Sequence, residues 1–158
     1  MPRSVIVISN GSLKLADSEA GLATATETFE CQVIEAAINA APNLSTVPAT
    51  WCEGESQSPG KTGWELALTW LQDWRDSGGG LSGYAFTNDT LPKWFELKLD
   101  KADTTPIATG QAYVVAGSFG GSSPDPLQAS ATWPLLAKPD ITVPALAATE
   151  AEAEPVPA

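Results

Sequence analysis

The stretch WELALTWLQDW, Trp64–Trp74, decides the fold, because its pattern fits two different secondary structures. A strand would place large apolar side chains on one face and Glu65, Ala67 and Thr69 on the other. A helix would begin at a capping box formed by Thr62 and Glu65 and would bury an apolar stripe. Periodicity alone leaves both interpretations open, so the decision depends on the surrounding sequence.

The flanking sequence is dominated by short runs that are typical of strands. SLKLA (12–16) follows SVIVIS (4–9) after Asn10-Gly11, a dipeptide that suits a tight type I′ hairpin turn. Further runs of this kind are TFECQV, KWFELKLD, GQAYVVAGSF and LQASATWPLL, whereas LSGYAFTND predicts a short helix. About six or seven strands and one helix predict an all-β-dominated fold, a β-sandwich or partial barrel with one short flanking α-helix.

The composition limits the possible partners and chemistries. The chain has 158 residues and a formal net charge of −11, with 8 Lys and Arg against 19 Asp and Glu. A surface of this sign repels nucleic-acid phosphates and anionic membranes, so we expect neither tight nucleic-acid binding nor a membrane partner. There is no histidine, which removes the commonest acid–base group and zinc ligand. We therefore expect no metal and no cofactor.

Two cysteines, Cys31 and Cys52, are too few for a structural zinc site. A disulfide between them is possible, but two buried free thiols are the favoured interpretation. The apolar run near the start, SVIVIS, is too short for a signal peptide or a membrane anchor. We expect a soluble chain made in the cytosol.

The sequence GESQSPGKTGW, Gly54–Trp64, superficially matches a phosphate-binding loop. Five residues separate Gly54 from Gly60 where the motif has four, and Pro59 removes an amide donor from the cradle. Carboxylates beside the loop would also repel a triphosphate. The segment is not predicted to bind a nucleotide.

No other catalytic constellation is evident. The segments around Ser82 and Ser118 miss the G-x-S-x-G pattern, and neither serine has a histidine as base. Glu53 and Glu55 could in principle work as a pair, but solvated loop carboxylates are the favoured interpretation. We expect no enzymatic activity.

An ordered series of segments carries a resemblance to a known family. TGWELALTWLQDW, SGGGLSGYAFTND, KWFELKLD, TGQAYVVAGSFGG and ASATWPLLAKPDI follow one another within residues 28–143. In this order the chain resembles the major tail tube proteins of bacteriophages with long non-contractile tails. The resemblance favours a strand through Trp70 in the stretch quoted first.

The resemblance implies a non-catalytic virion protein of the phage tail, assembled in the cytoplasm of the host bacterium. Subunits would form six-fold rings whose inner sheets join as one continuous barrel, and rings would stack into a tube for genome passage. The implied partners are other copies of the chain and, in the tail, the tape measure, the tail terminator and the distal tail protein. DNA would pass without sticking.

The domain organisation follows from composition and resemblance together. Residues 1–143 form the sandwich domain, and residues 144–158, PALAATEAEAEPVPA, form an acidic tail that we expect to be flexible. Residues 42–63 have no sustained period, and a connection of this length is usually functional or bound to a partner. In the family it would be an arm that reaches a neighbouring subunit, carrying Trp51, Glu53, Glu55 and Lys61. Alternatively, Trp51 packs onto its own subunit.

Two further sets of residues have predicted places. If the polar side of the Trp64–Trp70 strand faces the channel, the lumen would be lined by Glu30, Gln32, Glu65, Ala67, Thr69 and Asp73. They could equally be ordinary solvated residues. The predicted core consists of Phe29, Val33, Trp64, Leu66, Leu68, Trp70, Phe95, Leu97 and Leu99.

Two other functions stay open at this point. The tryptophans of a β-sandwich could form a carbohydrate-binding platform, which predicts several exposed aromatic rings in one plane. The chain could also be another tail or connector protein of the same fold, which the sequence does not distinguish from a tube protein.

Overall fold

A computed structural model describes residues 11–25, 28–29, 32–52, 54, 56–74, 80–100 and 105–143. Within this part of the chain there are nine strands, one α-helix and a short 3-10 helix, Ala20–Thr24. In chain order the elements are β1 Ser12–Ala16, β2 Val33–Ala41, β3 Leu44–Val47, β4 Ser56–Pro59, β5 Gly63–Leu71, α1 Leu81–Thr87, β6 Pro92–Lys98, β7 Ile107–Tyr113, β8 Gln128–Pro134 and β9 Asp140–Thr142.

The ambiguous stretch forms strand β5, not a helix. Leu66, Leu68 and Trp70 are buried, whereas Glu65 and Thr69 are half-buried on the opposite face. This strict alternation satisfies a strand with one face on the core, while a helix would bring Glu65 and Leu68 to the same side. β5 is the central strand of its sheet, and the helical interpretation with its capping box is wrong.

The strands form two antiparallel sheets that pack face to face, and a separate two-stranded hairpin. One sheet has the order β1-β6-β7-β9, the other has the order β2-β5-β8, and β3 pairs with β4 in the hairpin. Leu135, which follows β8, connects the two sheets. Its N–H donates to the carbonyl of Trp64 in β5, and the residue forms an isolated bridge with Ala112 in β7. The described strands do not close into a barrel. The prediction of a β-sandwich with one short helix is confirmed.

The core lies between the two sheets. Of the predicted core residues, Phe29, Leu66, Leu68, Trp70, Phe95 and Leu97 lie in it, and Val33 packs against it. Trp64 and Leu99 are only half-buried and do not belong to this cluster. Both residues lie at strand ends, since Trp64 is the second residue of β5 and Leu99 follows the last residue of β6.

Helix α1 packs at the side of the sandwich. The indole Nε1 of Trp70 donates to the buried Oγ of Ser82 over 2.9 Å, and the ring of Tyr84 lies 5.5 Å from that of Phe29. At the helix start, the amide of Leu81 donates to Oε1 of Gln32 over 2.7 Å. These contacts explain why a helix as short as this one is stable, because packing and capping replace length.

Several elements differ from the prediction. The region 42–63 contains the β3–β4 hairpin, where an irregular connection was expected. The 3-10 helix, which begins after Glu19 and whose Leu22 is buried, is an additional element. Strand β9 was not expected as a separate element. The strand predicted before Gly11 and the tail 144–158 lie outside the described residues.

Candidate assembly surfaces

The outer face of the β2-β5-β8 sheet, called here the polar face, is built from the side chains opposite the core. The strand register aligns them in three rows across the sheet, namely Glu35–Thr69–Ser130, Ala37–Ala67–Thr132 and Asn39–Glu65–Pro134. Each row consists of small or polar side chains. The strand register therefore gathers mainly small and hydrophilic side chains on this face.

The charge of the polar face is negative. Glu35 and Glu65 lie on it, and its described residues include neither Lys nor Arg. Thr69 and Ser130 pair through their hydroxyls at 3.4 Å. Glu35 and Glu65 are four residues apart in register, about 13 Å along the sheet, so they spread the charge instead of forming a close pair. Such a face repels polyanions without offering a metal or acid–base site.

The residues predicted to line a lumen do not all lie together. Glu65, Ala67 and Thr69 share the polar face. Gln32 is half-buried and its side-chain oxygen accepts the hydrogen bond from the first residue of α1. Asp73 is half-buried beyond the end of β5. Glu30 lies outside the described residues.

A β-bulge explains why Glu35 was missed. Val33 is opposite Trp70 and Glu35 is opposite Thr69, so Ile34 is an extra residue in β2 and is 51% exposed. The bulge reverses the alternation along this strand. The odd-numbered residue Val33, before the bulge, faces the core, whereas the odd-numbered residues from Glu35 onward face outward. The sequence pattern therefore placed residues 30 and 32, and not 35, beside the polar side of β5. Periodicity carries no signal for such a bulge.

The second surface is the arm, residues 42–62, which contains the hairpin β3–β4 and its tip. Pro42, Asn43, residues 48–52 and residues 60–62 are all exposed. At the base, Gly60 N–H donates to the carbonyl of Asn43 over 2.8 Å, and a side chain at Gly60 would clash with that carbonyl. The glycine of the apparent phosphate loop is thus required by the close approach of two backbones.

The tip of the arm presents Trp51, which is fully exposed at 105% of its reference area. Trp51 does not pack onto its own subunit. Cys52 beside it is an exposed free thiol, so the prediction of a buried thiol at this position is wrong, because the arm leaves the sandwich here. Cys31, Glu53 and Glu55 lie outside the described residues.

The described residues contain no group of three or more His, Cys, Asp or Glu side chains placed to hold a metal ion. Lys61 is exposed at the base of the arm, and Gly60-Lys61-Thr62 leads into strand β5, whereas a phosphate loop opens a helix. No helix in the described part of the chain is long and apolar enough to cross a membrane.

The fold has clear structural neighbours despite low sequence identity. A chain of the tail of the empty gene transfer agent particle, obtained by helical refinement with C6 symmetry, matches with a TM-score of 0.55 and 12% identity over 83% of this chain and 96% of that chain. A chain of the virion of the native gene transfer agent particle matches with a TM-score of 0.53 and 11% identity over 83% of this chain and 95% of that one. No protein-family model and no curated protein matches.

These likenesses define the class of fold. Chains of a tail and of a virion share the fold of this chain, and the match spans nearly the whole of those chains. At 11–12% identity the likeness establishes the fold.

Proposed function

We propose that this chain is a structural virion protein that polymerises as stacked hexameric rings into a phage tail tube, the channel for genome passage into the host. It would be assembled in the host cytoplasm and would act without catalysis. Its first partner would be itself, and the tape measure, tail terminator and distal tail protein would contact the finished tube. The observation that carries this proposal is the fold match to a tail chain with C6 symmetry, covering 96% of that chain.

The sheet edges support self-association. Among the described strands, β2 and β8 are the edges of one sheet, and β1 and β9 are the edges of the other. Edge strands present unpaired N–H and C=O groups that are a hazard in a monomer. Closure of several copies into a ring would pair such edges, and joined sheets form a barrel whose diameter grows with the number of strands.

The polar face is the surface that best suits the lumen. Small side chains leave a wide channel, and Glu35 and Glu65 repel the phosphates of passing DNA. A basic lumen would instead release counterions from DNA and hold it. The polar face is therefore proposed to point to the channel axis, with Ala67 and Thr69 between the two carboxylates.

Electron microscopy of the purified full-length chain tests the proposal. Negative staining at increasing protein concentration is expected to reveal rings with a central hole and tubes of constant width, with six-fold symmetry in averaged end views. Rings that never stack would favour the tail-terminator or connector function instead. A chain that stays monomeric at millimolar concentration would contradict the proposal.

A further inference from the structure

Three exposed aromatic side chains form a cluster beyond the Leu71 end of β5. The ring of Trp74 lies 5.1 Å from that of Phe86, with an interplanar angle of 58°, and 5.1 Å from that of Phe119, at 75°. The exposed fractions are 37% for Trp74, 47% for Phe86 and 78% for Phe119. These residues come from three separate segments of the chain, and we call them the aromatic cluster. Grouped exposed apolar side chains of this kind mark interaction sites.

A hydrogen-bond network holds the aromatic cluster in place. Gln72 Nε2 donates to the carbonyls of Gly120 and Gln128, both over 2.8 Å, and its Oε1 accepts from Gly120 N–H over 3.1 Å. The same Oε1 accepts from the indole of Trp74 over 3.3 Å. One side chain thus fixes both Trp74 and the loop that carries Phe119. A rigid, exposed aromatic group loses little entropy when it binds, which favours binding.

The aromatic cluster and the arm lie at opposite ends of one strand. The arm joins β5 at Gly63, and the cluster follows Leu71, so the nine residues of β5 separate them by about 27 Å. Trp51 is fully exposed, so the arm of a given copy does not occupy the cluster of that copy. Each subunit therefore offers an exposed tryptophan at one end and an exposed aromatic group at the other.

We infer that Trp51 at the tip of the arm inserts into the aromatic cluster of a neighbouring copy of this chain. The inference rests on the proposed self-assembly and names the contact that would make it. Edge-to-face packing of a fourth ring would continue the tilted geometry of the cluster, and tryptophan is enriched among interface hot spots, which lie in desolvated pockets.

The geometry decides the type of contact and the type of occupant. Two different patches of the same subunit make a heterologous, head-to-tail contact, which generates closed rings or extended stacks and not isolated dimers. A sugar-binding platform would need coplanar rings, whereas these rings are tilted by 58° and 75°. The tilted rings thus favour binding of an aromatic side chain from another copy over binding of a carbohydrate.

Disulfide trapping tests the contact with a thiol that the chain already has. Cys52 is exposed beside Trp51, and Ser118 is exposed beside Phe119. Assembled Ser118→Cys protein, oxidised briefly with copper phenanthroline, is expected to give a reducible ladder of multimers on a denaturing gel. A ladder that ends at six indicates contacts within a ring, and a longer ladder indicates contacts between rings; both support the inference.

Matched variants control for random oxidation. Cys52→Ser with Ser118→Cys should give no ladder, and neither should Thr132→Cys, which places a thiol on the exposed polar face. If tubes form but Ser118→Cys gives no more ladder than Thr132→Cys, the inference is overturned while the proposed function stands. A protein that forms neither rings nor tubes would overturn both.

A double-mutant cycle gives an independent measure. Trp51→Ala and Phe119→Ala are each expected to raise the critical concentration for assembly at least tenfold, with unchanged thermal melting of the monomer. The double variant should be little worse than either single variant, because both remove the same contact. Effects that multiply in the double variant would contradict a direct contact between the two rings.

Discussion

The two sheets bury similar side chains between them, yet their outer faces carry charge differently. On the β1-β6-β7-β9 sheet, Glu96 lies between two lysines, with Oε1 3.7 Å from Nζ of Lys14 and 3.9 Å from Nζ of Lys98. On the polar face, Glu35 and Glu65 lie on a surface whose described residues include no basic side chain. On one outer face, lysines compensate the charge of the carboxylate. On the polar face, no described basic side chain compensates the two carboxylates.

This difference refines what the net charge of −11 means. A uniformly acidic protein would repel DNA from every side, whereas here lysines lie near the carboxylate of one outer face and no described basic side chain lies on the polar face. The other face, with its alternating charges, is suited to contact solvent or protein. Charge patterning by face, and not the total, is therefore the property to test.

The largest effect is expected from removing Trp70, a side chain of the core between the two sheets. Trp70→Ala should lower the free energy of unfolding by about 3–5 kcal/mol, because it opens a cavity in the core. It also removes the donor to the buried hydroxyl of Ser82. Chemical denaturation of the soluble protein measures the change, and no tubes should form.

The control separates packing from hydrogen bonding. Ser82→Ala removes the acceptor of the same bond and leaves the indole in place, so a cost of about 1–3 kcal/mol is expected. A Trp70→Ala variant that melts like the wild type would show that the two sheets do not depend on this residue.

A second variant should abolish assembly while leaving both faces intact. Gly60→Ala forces the Asn43 and Gly60 backbones apart at the base of the arm, because the added Cβ clashes with the Asn43 carbonyl. The arm should lose its fixed direction, with little change in thermal melting of the sandwich. Sedimentation velocity at assembling concentrations is expected to give monomers.

Gly54→Ala is the matched control for the arm. An added Cβ at Gly54 has no atom within 4 Å, so this variant should assemble like the wild type. Equal assembly of Gly60→Ala and the wild type would mean that the arm is not needed for the tube.

Charge reversal on the polar face should change function more than assembly. Tubes of Glu35→Lys with Glu65→Lys are expected to retain DNA at low salt and to release it as salt rises, because the new lysines displace counterions from phosphate. Fluorescence anisotropy of short DNA added to preformed tubes measures this, and in a phage the same variant should slow genome ejection.

Asp125→Lys with Asp140→Lys changes the net charge by the same amount, and both of these residues are exposed outside the polar face. The control tubes should retain far less DNA. If the two double variants retain DNA equally, total charge and not the polar face governs the interaction.

The sequence predicts those parts of the fold in which local pattern and packing agree. In β5 the alternation of Leu66 and Leu68 with Glu65 and Ala67 fitted a strand as well as a helix, and the resemblance favoured the strand that the structure has. LSGYAFTND forms a helix because Leu81 and Tyr84 both reach the core. Read as a strand, the same alternation predicts that Glu65, Ala67 and Thr69 share one face, and these residues form the β5 part of the polar face.

The remaining parts of the candidate surfaces depend on features that no local pattern encodes. The bulge at Ile34 places Glu35 on the polar face, and it becomes evident only from the pairing with Thr69 and Trp70. The side chain of Gln32 is directed to Leu81, which is distant in sequence. The aromatic cluster likewise joins three separate segments, so only the tertiary structure could reveal it.

The smallest effect is expected on the compensated face. Lys14→Ala removes one of the two cations near Glu96, and the loss should be below about 1 kcal/mol, because the N–O distances of 3.7–3.9 Å are long for an ion pair and Lys98 still lies near the carboxylate. DNA retention by the tubes should not change, since the polar face is untouched.

Glu65→Ala provides the matched variant. It removes a carboxylate without a nearby described cation on its face, so the free energy of unfolding should change by no more than about 0.5 kcal/mol and DNA retention should rise slightly. If Lys14→Ala altered DNA retention as much as Glu65→Ala does, the two faces would not differ in function, and the channel could not be assigned to the polar face.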